Sequence, residues 1–445
     1  MKLKWIAGTH TIMKEKLISP FGFKGGYVDE LWQSIVRLEN EKGQSGIGLG
    51  VQSVLWSDSG LFAELGNERG NELMAALTSK AVELGRKHQE ASSPFELLDH
   101  LAGPIHEEGC SLIDRKIRLT FALNALVPLD FAAWQLYAKQ APAAEFDKLI
   151  PKEVAEALPV HHSTLASTPI VSYGMSDEQI LKLLDQGYFV LKLKLGADPD
   201  KDGNQDKMLE WDCRQLEKVH QLAKDRSCKH TDNGKIAYYL DLNCRYDSKQ
   251  RVQALLDYAK AIGALEQILL LEEPFDEENL EDVSDLPVRV AADESVHSVE
   301  DAIERIRLGY GAFALKPVAK TLSLSLRVAK AAYDADIPCF CADLTASPWM
   351  VDWNKMVASR LKPLPGLKMG LLESNGHQNY LGWERMRGYH PMGHAEWTET
   401  TDGLYKLTAS FYEQNGGIFH TSASYNQIVD QMGDTQAEVE VVRRL

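Results

Sequence analysis

The sequence predicts an α/β protein, a (β/α)8-type TIM barrel with a smaller α+β domain in front of it. From about residue 168, apolar runs of strand length alternate with helical stretches, the rhythm of a parallel sheet. Eight such runs occur, the number that closes into a barrel; an open doubly wound sheet is the other arrangement this rhythm allows. Ahead of them, residues 1 to about 55 read as strands and turns, and 71 to about 140 as helices. A chain of 445 residues has room for both parts.

In the N-terminal part, Ile35-Val36-Arg37-Leu38 and residues 47–51 flank the turn signal Asn40-Glu41-Lys42-Gly43, which predicts a hairpin. Gly46, Gly48 and Gly50 spell GxGxG, but inside a hairpin rather than between a strand and a helix, so no dinucleotide site is expected. Ala- and Leu-rich stretches at 73–84, 95–101 and 121–137 predict helices. Residues 119–138 are the most membrane-like, yet they hold Asn124, Pro128 and Asp130, so a buried helix is expected.

The barrel opens with Ile170-Val171-Ser172-Tyr173. Ser176-Asp177-Glu178-Gln179 then has the pattern of a capping box for a helix that stops at Gly187. The second strand is Phe189-Val190-Leu191-Lys192-Leu193-Lys194-Leu195, and the others are 236–242, 268–271, 288–292, 312–315, 337–342 and 367–372. Ser298 caps a helix through Arg307 that ends at Gly309. The expected division is a capping domain at 1–118, a barrel at 119–397, and a tail, 398–445, packing back on the first domain.

A net charge of −16 argues against nucleic acid or an anionic membrane surface as partner. The six cysteines are scattered without CxxC spacing, and Met1 to Trp5 lacks the apolar run of a signal peptide, so a reduced, cytoplasmic setting is expected.

Chemistry in such barrels lies at the C-terminal strand ends. There stand Lys192 and Lys194, then Asp241 and Asn243, Glu272, Asp293, and Lys316. Alternation puts Lys192 and Lys194 on one face and Leu191, Leu193 and Leu195 on the other. Each ammonium raises the cost of charging its neighbour, so one lysine is expected to accept a proton near neutral pH. Taken singly, each carboxylate reads as a helix cap, but three on consecutive strands, with no histidine or thiolate, suit a hard cation such as Mg²⁺. Lysines on either side could remove or deliver the proton α to a metal-bound carboxylate, through an enediolate.

The order KxK, Asp-x-Asn, Glu-Glu-Pro, Ala-Asp-Glu-Ser and a later strand-end lysine resembles the enolase superfamily, in its muconate-lactonizing, two-lysine branch. Ala132-Ala133-Trp134 resembles the family's helix leading into the barrel, and the N-terminal hairpin its capping domain. The resemblance implies that Asp241, Glu272 and Asp293 bind Mg²⁺, with Mn²⁺ as a substitute. It implies Lys194 and Lys316 as opposed acid/bases, Lys192 as a tuning residue touching the substrate carboxylate, and Asn243 supporting the metal. It also implies a small-molecule carboxylate substrate and a homo-oligomer. Racemisation or epimerisation is the simplest outcome. Cycloisomerisation or a succinylbenzoate-synthase-like syn-elimination uses the same residues.

Glu273 and Glu294 are expected to point away from the metal, toward Lys192 or its neighbours. Cys339-Phe340-Cys341-Ala342-Asp343 carries no histidine, which weighs against acid-sugar dehydration. Lys320-Thr321-Leu322-Ser323 replaces the Gly-Gly that often follows the sixth-strand lysine. Glu373-Ser374-Asn375 stands where dipeptide epimerases have Asp-x-Asp for the substrate ammonium, leaving Glu373 to a cationic group or a supporting role. A non-catalytic carboxylate-binding barrel is the rival from another class. Specificity is expected from Pro20-Phe21-Gly22-Phe23 and residues 51–56. His390 and His394 are expected in a surface loop, His377 in a solvated loop or else at the mouth of the barrel, and Cys339 and Cys341 in packing.

Overall fold

The computed structural model describes residues 2–23, 26–87 and 91–433; the Phe23 side chain and the end of the tail, 434–445, lie outside the described residues. The N-terminal domain is an antiparallel sheet of β1 (Ala7–Phe23), β2 (Gly26–Glu39) and β3 (Ser45–Gln52). The expected hairpin is β2–β3, with Arg37 opposite Ile47. One-turn α1 (Val54–Ser57) follows, then α2 (Ser59–Lys87), α3 (Pro94–Leu112) and α4 (Leu119–Gln140).

The GxGxG sequence has a packing reason. Alternation puts the three glycines on one face of β3, and α4 lies directly on it. A Cβ at Gly48 would sit 2.0 Å from the Pro128 carbonyl oxygen, and one at Gly46 2.2 Å from that of Ala132. The glycines let a helix backbone approach a strand backbone. By length and composition α4 could cross a membrane, yet 94% of its most apolar stretch is buried within the protein.

Single turns α5 (Phe146–Leu149) and α6 (Lys152–Ala155) lead to the barrel. Its first strand is split at Pro169 into β4 (Thr164–Thr168) and β5 (Ile170–Val171). The others are β6 (Val190–Lys194), β7 (Ala237–Asp241), β8 (Ile268–Glu272), β9 (Val290–Ala292), β10 (Ala312–Leu315), β11 (Cys339–Cys341) and β12 (Gly370–Glu373). All pair in parallel in chain order. β12 pairs with β4 while β5 pairs with β6, so the split strand closes the ring. Proline has no N–H to donate, and its carbonyl accepts from Lys192 N at 3.1 Å across the closure.

The outer helices are α7 (Asp177–Asp185), α8 (Gln205–Ala223), α9 (Lys249–Ala261), α10 (Val299–Arg307), the pair α11 (Pro317–Lys320) and α12 (Leu322–Asp334), and α13 (Pro348–Ala358). The Ser176/Gln179 capping box forms in full, and the Ser298 side chain accepts from Asp301 N. Among the described residues no helix lies between β8 and β9.

Two features of the domain division come out differently. Placed with the barrel by sequence, α4 packs chiefly on the cap sheet. It reaches the barrel through Asp130, which accepts from Leu322 N at 2.8 Å and Ser323 Oγ at 2.6 Å. The tail does not simply return to the first domain. After α14 (Gly376–Asn379) and α15 (Trp383–Tyr389), the hairpin β13 (Thr400–Thr401) and β14 (Leu404–Lys406) adds antiparallel to β4. The split at Pro169 leaves that edge of β4 unpaired within the ring, and the hairpin satisfies it. α16 (Ala409–Glu413) follows, and α17 (Ala423–Met432) does reach the cap, with Asp430 2.6 Å from Arg37.

His390 is not in a surface loop but buried. Its Nε2 lies 2.7 Å from Asp352 Oδ2, while its Nδ1 accepts from Met392 N. Asp352 also accepts from Lys355 at 2.6 Å and Trp397 Nε1 at 3.2 Å, joining α13 to the tail. Burial pushes the Asp352 carboxyl up, but Lys355 and His390 outweigh it and hold it below its ordinary range. Asp352→Asn is expected to cost about 2 kcal/mol in urea unfolding, because Lys355 loses its counter-charge. An unchanged midpoint would show that the network is not needed. His394 is exposed as expected, and Cys339 and Cys341 are packed in the core.

Candidate active site

The C-terminal ends of the barrel strands bring together nearly all the residues singled out by sequence. Strand register sets Lys194 opposite Asp241, and Asp241 opposite Glu272. Lys194 Nζ lies 2.7 Å from Asp241 Oδ2 and 3.1 Å from Asn243 Oδ1. Asn243 also donates its backbone N–H to Asp241 Oδ1. At the other end of the carboxylate row, Lys316 is ion-paired with Asp293. The two lysines therefore flank the row from the β6 side and the β10 side.

Lys192 is fully enclosed, 2.9 Å from Asp241, 3.3 Å from Glu272 and 2.9 Å from Glu373. Burial alone would lower its pKa, but these three carboxylates hold it well above the ordinary lysine range. Lys316 is likewise pulled down by burial and raised further by Asp293, Glu294 and Glu272. The expected mutual lowering of neighbouring lysines is thus overturned for Lys192. Carboxylates at ion-pair distance act more strongly than a second ammonium. Asp241, pushed up by burial, is held well below the usual carboxylate range by Lys192 and Lys194.

Three buried carboxylates have oxygens within 4.8 Å of one another: Glu272, Asp293 and Glu294. Glu294 was expected to point away. Asp293 and Glu294 lie beyond Ala292, the last residue of β9, where strand alternation no longer governs direction. Asp241 lies one strand over, drawn onto the two β6 lysines. Glu273 does face away, but not to a lysine: its Oε2 accepts from Asp293 N at 2.5 Å and from Ser295 N and Oγ. Its φ of +37° is the left-handed backbone that turns it into this loop. Glu373, not Glu273 or Glu294, completes the Lys192 ion pairs.

These donors fit a hard divalent cation. Both Glu294 carboxylate oxygens are buried without a hydrogen-bond partner, a costly state that a cation would relieve. Burial pushes Glu272 up to about 8, with Asp293 opposing its ionisation and Lys192 favouring it. A cation among these oxygens would remove that repulsion, and an all-oxygen donor set suits Mg²⁺.

Above this floor is a cleft between the barrel and the cap. The barrel lines it with Ile170, Lys192, Lys194, Asn243, Lys316, Asp343, Leu344 and Glu373, and the cap with Phe21, Val28, Leu31, Leu55 and Trp56. Phe21 and the 51–56 segment therefore lie where sequence placed them. His377 is not in this lining; half-buried in α14, it packs edge-on to Trp383, and burial pulls it down to about 4. Trp56 covers Lys316, whose Nζ is 4.6 Å from the ring centroid.

Three neighbours were not assigned roles by sequence. Tyr239 shares the Asp241 face of β7, and its hydroxyl oxygen accepts from Lys192 Nζ at 3.0 Å. Lys320, one turn after Lys316, lies 2.9 Å from the Val296 carbonyl and 3.5 Å from Asp293 Oδ1. Asp343 obeys the same strand-end rule as the others, being the first charged residue after β11.

Fold and site together define a capped barrel with a buried acid row between lysines. Residues 176–354 match the family model described as enolase C-terminal domain-like, which is in keeping with the superfamily that the motif order resembles. The fold is shared with a mandelate racemase/muconate lactonizing protein from Herpetosiphon aurantiacus, at 16% identity, TM-score 0.62, and coverage of 92% of this chain and 97% of that one. It is shared with the L-Ala-D/L-Glu epimerase from Bacillus subtilis in a substrate-liganded complex, at 18% identity, TM-score 0.57, and 83% and 89% coverage. A dipeptide epimerase from Enterococcus faecalis, complexed with Mg and L-Leu-L-Tyr, aligns at 19% identity, TM-score 0.54, and 84% and 90% coverage. No curated protein sequence matches.

Proposed function

We propose that the protein is a Mg²⁺-dependent isomerase that removes the proton α to a carboxylate and returns one, as a racemase or epimerase. The observation that carries this is the placement of Lys194 and Lys316 at opposite ends of one buried carboxylate row, both lining the same cleft. Asp241, Glu272 and Asp293 are the proposed ligands, with Glu294 beside them. Bound Mg²⁺, or Mn²⁺ in its place, would supply the positive charge that acidifies the α-carbon.

Each part of the chain then has a task. Lys192, held cationic by its acids, stays a fixed charge that orients the substrate carboxylate. Lys194 and Lys316 approach the α-carbon from its two faces: one takes the proton, the other delivers it. Asp241 and Asn243 hold Lys194, and Trp56 and Asp293 hold Lys316. The cap residues Phe21, Leu31 and Leu55 exclude water from the transfer. Cycloisomerisation and syn-elimination remain outcomes of the same first step. A homo-oligomer in a reduced, cytoplasmic setting is part of the proposal, and among the described residues no cysteine is in a disulfide.

The test is exchange of the α-hydrogen in D₂O across a library of carboxylic acids, before and after chelation. Exchange should vanish with EDTA and return with Mg²⁺. At a concentration about a hundredfold over its dissociation constant, Mg²⁺ should also stabilise the fold by about 2.7 kcal/mol. Exchange indifferent to chelation would sink the metal's role.

A further inference from the structure

We propose that the substrate's arm beyond the reacting carbon is apolar and uncharged, so the enzyme takes carboxylic acids without a cationic amine. This rests on the reading of the site above and narrows it.

With the carboxylate end over the acid row, the rest of the substrate has only the cleft above to occupy. Ser53, Thr345 and Asn375 give that space uncharged polar points, and its apolar wall is Phe21, Val28, Leu31 and Leu55 from the cap with Ile170 and Leu344 from the barrel. All of that wall but Phe21 is nine-tenths or more buried.

An ammonium placed among them would need a carboxylate, and the two in reach are engaged. Glu373 is paired with Lys192 at 2.9 Å and accepts from Asp343 N at 3.2 Å and Asn375 Nδ2 at 3.1 Å. Asp343 turns its oxygens to the backbone N–H groups of Leu344 at 2.8 Å, Ala346 at 3.0 Å and Asn375 at 2.8 Å. A neutral apolar arm meets none of these costs and removes apolar surface from water.

The test compares N-propionyl-leucine with alanyl-leucine, which differ only in that an ammonium replaces a hydrogen. Calorimetry on the Mg²⁺-loaded enzyme reads affinity, and NMR in D₂O reads exchange at the leucine α-carbon. N-propionyl-leucine is expected to bind about tenfold or more tightly than alanyl-leucine. Equal or tighter binding of alanyl-leucine would overturn the assignment, as would failure of N-propionyl-leucine to bind at millimolar concentration. Preferential binding of N-propionyl-leucine without exchange would support the substrate class while overturning the proton-transfer reading, so the two can fail separately.

Discussion

Lys194→Ala and Lys316→Ala are each expected to lower racemisation by about 10²–10⁴-fold, the usual contribution of a positioned acid or base. The more telling result concerns single enantiomers. In the proposed reaction each lysine faces one side of the α-carbon, so one variant should lose hydrogen exchange from one enantiomer and the other variant from its mirror image. Exchange measured on the resolved enantiomers would show it. If both variants lost exchange from the same enantiomer, the lysines would not stand on opposite faces. Removing either ammonium also frees its carboxylate partner, Asp241 or Asp293, so Mg²⁺ affinity should be measured in the same variants. Affinity retained with exchange lost is the expected pattern.

The largest stability effect is expected far from the chemistry, at Gly48. An added Cβ would meet the Pro128 carbonyl at 2.0 Å and Ala132 N at 2.3 Å, both helix backbone that cannot turn aside. Gly48→Ala is expected to cost about 3 kcal/mol or more, at the upper end of overpacking effects. Gly48→Val should leave little soluble protein. Gly103, in α3 with nothing within 4 Å of its would-be Cβ, is the control. There alanine should be neutral or stabilise by up to about 1 kcal/mol through helix propensity. Urea unfolding of the variants separates the two, and a mild Gly48→Ala would mean that α4 can lift off β3.

The sequence by itself determined the barrel, the cap and most of the residues gathered at the strand ends, because each rests on local pattern. Apolar runs ending in a polar residue mark barrel strands, and alternation puts Lys192 and Lys194 on one face wherever the strand lies. The reason for Gly46, Gly48 and Gly50 was not legible, since it lies in a helix some eighty residues further along. Nor was the route of the tail, which depends on an edge of β4 exposed where the first strand is split at Pro169. At the site, alternation served only while residues were paired in the sheet. It placed Asp241 and Glu272, but past the end of β9 it failed for Glu294. Only the tertiary structure decided the charges, because the protonation of Lys192 is set by Asp241, Glu272 and Glu373, on three other strands. Those distances arise when the barrel closes, and no spacing along the chain encodes them.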